Sequence, residues 1–329
     1  MQAPEFWTRD GALARSLQPL AWLYGAAGRL RWAASRPWRA GVPVICVGNL
    51  VAGGAGKTPT ALALGRALTQ RGIALHFLSR GHGGRLTGPI RVDPDRHQAA
   101  DVGDEPLLLA AAAPAWIARD RAAGARAAIA AGAQAIIMDD GFQNPGLAKD
   151  LSLLVIDEAY GLGNGRVHPA GPLREPADVG LARADRVVLL RSGEAPAPIS
   201  VPIATMTPPP LTARLIPADD ALALRGRRVL AFAGIGRPQR FFHTVRELGA
   251  ELVGQHGFPD HHPYREDEIW RLVELAGDLD AQAVTTAKDA VRLPPGARDM
   301  VTVINVALAF DRPDDLDQML DGVFGTGPQ

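Results

Sequence analysis

The sequence predicts an α/β fold in two parts, a larger α/β/α unit built around a glycine-rich turn and a smaller α/β unit. The apolar run Pro43–Val47 precedes that turn, and Thr60–Leu68 follows it with apolar residues at helical spacing. Short apolar runs then alternate with helical patterns along the chain, which is typical of parallel sheets. A chain of 329 residues, 47% of them hydrophobic, can bury two cores.

Composition excludes several classes of protein. Basic and acidic residues both number 35, so the net charge gives no indication of nucleic-acid binding. The single cysteine, Cys46, cannot form an internal disulfide, which favours a reducing compartment. The first residues, Met1–Trp7, lack the basic and apolar regions of a secretory signal, and no apolar run reaches the roughly 18 residues of a membrane-spanning helix.

The N-terminal segment combines apolar, aromatic and basic residues. Leu17–Gly25 is apolar and aromatic, and four arginines follow it, interleaved with Trp32 and Trp38. Trp, Tyr and Arg are the residues with which an interfacial helix contacts lipid headgroups. A helix packed on the domain core, with its arginines reaching water, explains the same composition. Both alternatives stay open on composition alone.

The turn after the first strand has the residues of a P-loop, which indicates a P-loop NTPase-like domain. Its glycines let backbone N–H groups approach phosphate oxygens, and the following helix N-terminus favours an anion. Lys57 can reach the β- and γ-phosphates, and the Thr58 hydroxyl can ligate Mg²⁺. Val51 stands where the common pattern has glycine, so a plain structural turn is an alternative, whereas a dinucleotide loop would need G-x-G-x-x-G. The predicted nucleotide-binding residues are Ala52, Gly53, Gly54, Ala55, Gly56, Lys57, Thr58 and Pro59.

Two segments after the P-loop helix carry candidate charges. The predicted strand Ile73–Leu78 ends just before Arg80, where an open α/β sheet places its ligands, so Arg80 is a candidate for phosphate contact or a solvated loop charge. Asp104 and Glu105 open a predicted long alanine-rich helix. Acidic residues there are ordinary helix caps, but beside a P-loop they also fit a general base and a metal ligand.

The apolar strand that ends in Asp139 and Asp140 has the Walker B pattern, in which a carboxylate at the strand end holds Mg²⁺. Leu151–Asp157 is the next predicted strand, and Gly161–Glu175 forms a long constrained loop that is more often functional than not. We expect Asp185–Leu190 to complete the strands of the first domain.

A proline-rich stretch, Pro196–Pro210, predicts a linker, and we divide the chain into domains 1–200 and 201–329. The second domain is predicted to be Rossmann-like, because its apolar strands again alternate with helices. Its glycine turn after Arg228–Ala233 has no Lys-Ser/Thr, so we interpret it as structural. A loop containing Asp260 and His261 precedes a predicted helix.

In their order along the chain, these motifs resemble those of the tetraacyldisaccharide 4'-kinases, the lipid A kinases of Gram-negative bacteria. The matches span roughly residues 17–310. Two positions depart from the family pattern, because His82 replaces a tyrosine and Asn144 a histidine, and Asn144 cannot carry a proton at neutral pH. The matching motifs are Val47–Leu50, Gly53–Pro59, Ser79–Gly81, Gly103–Pro106, Asp139–Gln143, Gly171–Glu175, Asp260–His261 and Thr286–Ala290.

The resemblance implies transfer of the ATP γ-phosphate to the 4'-hydroxyl of tetraacyldisaccharide 1-phosphate, by a monomer on the cytoplasmic face of the inner membrane, bound through its N-terminal helix. Asp104 resembles the residue that activates the hydroxyl, assisted by His261, with Lys57 as the phosphate-binding cation. The implied Mg²⁺ ligands are Thr58, Glu105 and Asp139. The implied substrate or supporting residues are Asn49, Arg80, Asp140, Gln143, Arg174 and Glu175.

Two other classes of function compete with a lipid kinase. A P-loop GTPase or metallochaperone-like switch shares the clustered glycines, but such proteins often carry lysine at the position of Ala52, and no Asn-Lys-x-Asp motif is present. A peripheral membrane scaffold that binds nucleotide without chemistry is the third hypothesis.

Overall fold

The computed structural model of the protein describes residues 4–191, 203 and 206–325. The strands are β1 Val44–Gly48, β2 Leu75–Ser79, β3 Ile90–Arg91, β4 Ala115–Ile117, β5 Ala135–Asp139, β6 Leu151–Asp157, β7 Arg186–Arg191, β8 Leu211–Pro217, β9 Arg228–Ala233, β10 Glu251–Gly257, β11 Gln282–Thr286, β12 Thr302–Ile304 and β13 Val306–Phe310. The α-helices are α1 Ala12–Ser16, α2 Gln18–Ala33, α3 Lys57–Gln70, α4 Ala99–Val102, α5 Asp104–Ala110, α6 Arg121–Ala130, α7 Ala177–Leu181, α8 Pro238–Glu247, α9 Glu266–Asp278, α10 Ala287–Ala290, α11 Pro295–Arg298 and α12 Pro313–Phe324. Glu5–Thr8 and Asp219–Leu224 form short 3-10 helices.

The larger sheet has the strand order β13-β8-β7-β6-β1-β5-β2-β4-β3. Its inner strands pair in parallel, whereas β3 and β13 at the two edges run antiparallel to their neighbours. β1 is buried along its whole length between β5 and β6. The predicted α/β/α architecture is confirmed, and the turn after β1 therefore leaves the centre of the sheet.

Helices cover both faces of this sheet because alternate residues of each strand point to opposite sides. Ile45 and Val47 belong to the core beneath α3, together with Leu64 and Leu68 of that helix. Cys46 points to the other face, where it is buried in the core that includes α6. Cys46 therefore packs as a small apolar residue of the core.

Gly56, the last residue before α3, shows why the turn needs glycine. Its φ is +85°, a left-handed conformation that residues with a Cβ rarely adopt. A Cβ there would also lie 2.5 Å from Cδ2 of Leu190, which is closer than carbon atoms pack. The P-loop can therefore lie directly against β7.

The smaller sheet has the order β10-β9-β11-β12, with every pair parallel. Phe241, Phe242 and Val245 of α8 pack on one face. Ile269 and Leu272 of α9 pack on the other. A parallel sheet with helices on both faces is the predicted Rossmann-like arrangement.

The larger sheet continues past β7, so the expectation that Asp185–Leu190 completes its strands was wrong. β8 pairs in parallel with β7, and β13 pairs antiparallel with β8. These strands lie in the predicted second domain, 201–329, so the sheets themselves separate at about residue 219 and again at about residue 305. The predicted start of that domain, and most of the predicted linker Pro196–Pro210, lie outside the described residues.

The helix that begins at Asp104 is shorter than predicted. α5 ends at Ala110, and Ala115–Ile117 form β4 instead of continuing the helix. Pro114 explains the break, because its ring disfavours helical geometry at the preceding residue and it has no N–H to donate. The Pro114 carbonyl accepts a hydrogen bond from the Phe77 amide (2.8 Å), which begins the pairing with β2.

Asp289, a fully buried carboxylate of α10, joins several elements of the smaller sheet. Its Oδ1 accepts hydrogen bonds from the Gly234 amide (2.8 Å), the Tyr264 hydroxyl (2.7 Å) and the Arg292 guanidinium (2.7 Å). Its Oδ2 accepts one from Thr286 Oγ1 (2.5 Å). The carboxylate therefore fixes α10 and the turn after β9 relative to each other.

We expect Asp289→Ala to lower the free energy of unfolding by roughly 3–5 kcal/mol, because it removes the closer of the two carboxylates that face the buried Arg292 cation. Urea unfolding monitored by circular dichroism measures the change. The matched control is Asp299→Ala, which removes an exposed carboxylate just after α11. This substitution should change stability little. A loss below about 1 kcal/mol for Asp289→Ala would contradict this account of the network.

Candidate active site

The P-loop, residues 48–59, is held in shape by a buried asparagine at its start. Asn49 Nδ2 donates hydrogen bonds to the carbonyls of Val51 (2.8 Å) and Gly53 (3.3 Å). The Ala52 amide donates to the Pro172 carbonyl (2.8 Å), which joins the P-loop to the long loop 161–175. Asn49, predicted as a supporting residue, therefore shapes the loop from inside.

Lys57 and Thr58 at the start of α3 face the two aspartates at the end of β5. Thr58 Oγ1 donates to Asp139 Oδ2 (2.8 Å). Lys57 Nζ lies 3.4 Å from the Gly53 carbonyl and 3.8 Å from Asp140 Oδ1. Burial lowers the pKa of Lys57, and the Asp140 carboxylate opposes that change.

Asp139 offers a carboxylate oxygen that a cation fits. Its Oδ1 is buried and has no hydrogen-bond partner among the described residues, which is unusual for a buried polar atom. Burial raises the pKa of Asp139 to about 7, and the Lys57 charge opposes the rise. A hydroxyl and a carboxylate oxygen are ligands that Mg²⁺ prefers, so Thr58 and Asp139 fit the predicted metal role.

A polar network connects the end of β5 with the loop 161–175. Arg174 donates to both oxygens of Asp140, at 2.6 and 3.2 Å. Gln143 Nε2 donates to the Asn49 carbonyl (3.0 Å) and to Glu175 Oε1 (3.1 Å). The structure thus brings together Asn49, Asp140, Gln143, Arg174 and Glu175, all predicted as substrate or supporting residues.

Asp104 and His261 meet across the two sheets. Asp104 is the first residue of α5 and its side chain is 3% exposed, whereas His261 follows β10 and its side chain is 40% exposed. His261 Nδ1 lies 2.9 Å from Asp104 Oδ2. The two residues belong to different sheets, and in this structure the contact between them is made.

The Asp104 carboxylate is surrounded by positive charge. Lys288 Nζ and Arg292 Nε each lie 3.7 Å from its Oδ2, in addition to His261. Burial raises the pKa of Asp104, but the His261 hydrogen bond and the Lys288 charge outweigh it and hold that pKa well below its usual range. The hydrogen bond with Asp104 raises the pKa of His261 in turn.

Glu105, predicted as a Mg²⁺ ligand, contacts a lysine instead of the Thr58–Asp139 pair. Lys288 Nζ lies 3.0 Å from its Oε1. Burial raises the pKa of Glu105, and the Lys288 charge opposes that rise. Asp104, Glu105 and His261 each offer a ligand atom within 4.8 Å of the others, so this carboxylate pair also has the donor set of a cation site.

Two predicted positions lie outside these contacts. Arg80 is exposed just after β2. Burial lowers the pKa of Arg121 to about 10, and the nearby Arg80 charge makes a smaller contribution in the same direction. Asn144, which departs from the family pattern, caps a turn by accepting a hydrogen bond from the Gly146 amide (3.0 Å).

Sequence reasoning missed several cations of the site. Lys149 Nζ donates to the carbonyls of Phe142 and Asn144, both at 2.9 Å, and so fixes the segment after β5. Arg183 forms an ion pair with Glu175. Lys288 and Arg292 face Asp104, as described above. One available signal was composition, because the chain has 32 arginines but only three lysines, Lys57, Lys149 and Lys288.

The helix α2 combines the two alternatives considered for the N-terminal segment. Its inner side packs on the larger domain, where the Trp32 ring lies 4.1 Å from the Arg183 guanidinium and Arg31 donates to the Gln143 carbonyl (3.3 Å). Its outer side is apolar and open to solvent. The exposed α1–α2 face consists of Leu13, Leu20, Trp22, Leu23, Tyr24 and Leu30. Among the described residues, every helix is too short or too polar to cross a membrane.

The fold and the site define a P-loop kinase, an enzyme that transfers a phosphoryl group from a nucleoside triphosphate to a hydroxyl group. Residues 13–325 match the sequence profile of a family described as LpxK, Tetraacyldisaccharide-1-P 4'-kinase. The chain belongs to this family, and the resemblance predicted from its motifs is confirmed.

Relatives named Tetraacyldisaccharide 4'-kinase align over nearly the whole chain. The relative from Rhodospirillum centenum is 57% identical over 97% of this chain and 96% of its own length. The relative from Rhodospirillum rubrum is 54% identical over 98% of this chain and 97% of its own length. A crystal structure described as an "apo" form of LpxK from Aquifex aeolicus in complex with ATP is similar with a TM-score of 0.74 and 26% identity, over 95% of this chain and 99% of that one.

Proposed function

We propose that this chain transfers the γ-phosphoryl group of ATP to the 4'-hydroxyl of tetraacyldisaccharide 1-phosphate. The observation that carries the proposal is the contact between Asp104 and His261, which adds a proton acceptor to a P-loop site. A nucleotide switch or a scaffold does not transfer phosphate to a sugar hydroxyl, so it needs no proton acceptor for that hydroxyl. The names of the relatives and the ATP complex of the structural neighbour support the same substrates.

In the proposed mechanism, Lys57 and the P-loop amides bind the β- and γ-phosphates and stabilise the charge that develops during transfer. The Asp104–His261 pair takes the proton of the attacking hydroxyl. The network of Asp140, Arg174 and Glu175 faces the disaccharide and orients it. Thr58, Asp139 and Glu105 would hold Mg²⁺, which would supply further positive charge at the phosphates.

The division into two domains serves this mechanism. We propose that the smaller sheet moves relative to the larger one and carries His261 with it, so that the proton acceptor is complete only when the domains close. All residues of the proposed site come from one chain, which is why we expect a monomer to be active.

We further propose that the enzyme binds the cytoplasmic face of the inner membrane through the exposed α1–α2 face. Its leucines and Trp22 are exposed to solvent, although apolar residues of this size are usually buried, and Tyr24 is partly exposed while its ring contacts His168 edge-on. Arg29 and Arg36 in the same segment suit anionic headgroups. A surface of this kind would bring the site to a lipid substrate that stays in the membrane.

The substitution Trp22→Ser, Leu23→Ser and Leu30→Ser, made together, should abolish flotation with anionic liposomes, because it removes the apolar side chains that enter the headgroup layer. Point substitutions are preferable to a deletion, since Trp32 also packs on Arg183. The control is Leu222→Ser with Trp270→Ser, which removes exposed apolar side chains elsewhere. If the triple variant still floats like the parent, the face has another role.

A phosphorylation assay tests the proposed function. Purified protein, radiolabelled ATP and the tetraacyl disaccharide 1-phosphate in mixed micelles should yield a labelled lipid, with ATP favoured over GTP. Slow ATP hydrolysis that is unchanged by the lipid would favour a nucleotide switch. Nucleotide binding without turnover under both conditions would favour a scaffold.

A further inference from the structure

The chain contains very few lysines. Of its 35 basic residues 32 are arginine, and the three lysines are Lys57, Lys149 and Lys288. The charge of arginine is spread over a planar guanidinium group, whereas that of lysine is concentrated on one ammonium group. A lysine can therefore take the place of a small cation. Lys57 has the phosphate-binding role and Lys149 fixes a loop, so Lys288 is the lysine whose role is still unassigned.

Lys288 reaches from the smaller sheet to the carboxylates of α5 on the larger one. Its Nζ lies 3.0 Å from Glu105 Oε1 and 3.7 Å from Asp104 Oδ2. Both carboxylates therefore lie close to the Lys288 ammonium group, although Glu105 was predicted to ligate Mg²⁺. The same two residues and His261 form the described group of ligand atoms within 4.8 Å that suits a cation.

The position of Lys288 is fixed by the residues next to it. Its neighbour Asp289 is the buried carboxylate that binds Gly234, Tyr264 and Thr286. Arg292 Nε donates to the Lys288 carbonyl (3.1 Å). The short helix α10 therefore positions Lys288 next to Glu105, and the Lys288 side chain contacts protein instead of extending into solvent.

We infer that Lys288 is an internal cation for the Asp104–Glu105 pair, which it neutralises when no divalent ion is bound there and from which that ion displaces it. This inference rests on the proposed metal role of Glu105. It makes Lys288 a positioning residue: it keeps two adjacent carboxylates from repelling each other in the empty site, and it opposes metal binding until the site is filled.

Amine footprinting tests the displacement, because only three lysines and the N-terminus can react. The protein without nucleotide is acetylated with an N-hydroxysuccinimide ester and its peptides are analysed by mass spectrometry. Adding Mg²⁺ at the concentration that saturates turnover should raise the modification rate of Lys288 severalfold, while Lys149, which binds two carbonyls, is the internal reference. An unchanged rate at Lys288 overturns the inference.

Two substitutions extend the test. In Glu105→Gln, Lys288 should react quickly even without Mg²⁺, whereas the control Glu274→Gln, on the exposed side of α9, should behave like the parent. Lys288→Met should bind Mn²⁺ severalfold more tightly, measured by the electron paramagnetic resonance signal of the free ion. Arg271→Met, which removes an exposed cation of the same domain, is its control.

The outcomes separate this inference from the proposal on which it rests. If Glu105→Gln binds Mn²⁺ as well as the parent, the metal role of Glu105 fails and the inference fails with it. If Glu105→Gln weakens binding but Lys288→Met does not tighten it, the metal role stands and only the inference is overturned. Thermal melting of each variant verifies that the changes do not come from unfolding.

Discussion

Replacing Lys57 with alanine should lower the rate of lipid phosphorylation by about a hundredfold or more. In the structure its Nζ lies near the Gly53 carbonyl of the P-loop and near Asp140, where the β- and γ-phosphates are expected. Lys57 is the cation of α3 that faces this loop, and its burial strengthens its interaction with phosphate charge. The loss should therefore appear in kcat as well as in ATP affinity.

Arg66→Ala is the matched control for Lys57→Ala. Arg66 lies on the same helix, is exposed, and should leave turnover close to that of the parent when it is removed. Circular dichroism and thermal melting of both variants test whether each is folded. Turnover near the parent's in folded Lys57→Ala would contradict the assignment of residues 48–59 as the phosphate-binding loop.

Local sequence patterns predicted the parts of the fold in which neighbours in sequence are neighbours in space. β1, the P-loop and α3 are consecutive, so an apolar run, glycines and helical spacing were sufficient to identify them. β13 was missed because it pairs with β8, about 90 residues earlier, to extend the sheet at its edge. Such a pairing depends on the whole fold and leaves no local pattern.

The same limit applies to the site. Thr58 and Asp139 were predicted to ligate the same Mg²⁺, since the P-loop and the Walker B strand have a fixed relation in this class of fold. Thr58 Oγ1 and Asp139 Oδ2 are 2.8 Å apart. The ion pair of Lys288 with Glu105 was not predicted, because it joins residues far apart in sequence on different sheets. A motif such as Thr286–Ala290 identifies a functional segment, but it does not show which residues that segment contacts.

Asp104→Ala and His261→Ala should each lower turnover by about a hundredfold to ten-thousandfold, the usual contribution of general acid–base catalysis, while ATP affinity stays near that of the parent. Neither residue belongs to the P-loop, so nucleotide binding does not depend on them directly. Lipid phosphorylation at saturating ATP measures the loss, and nucleotide titration measures affinity. His256→Ala, an exposed histidine of β10, is the control for removing an imidazole.

The double variant distinguishes a coupled pair from two independent residues. Asp104 faces His261, Lys288 and Arg292, and this positive charge stabilises its ionised form, so alone it is a weak base. The imidazole, 2.9 Å away, shares the proton, and the pair then titrates as a unit in which no single pKa belongs to either residue. If so, removing one partner removes most of the benefit, and the double variant should lose little more than the worse single one. Losses that multiply would mean that the two residues act separately, and the hydrogen bond between them would then be structural.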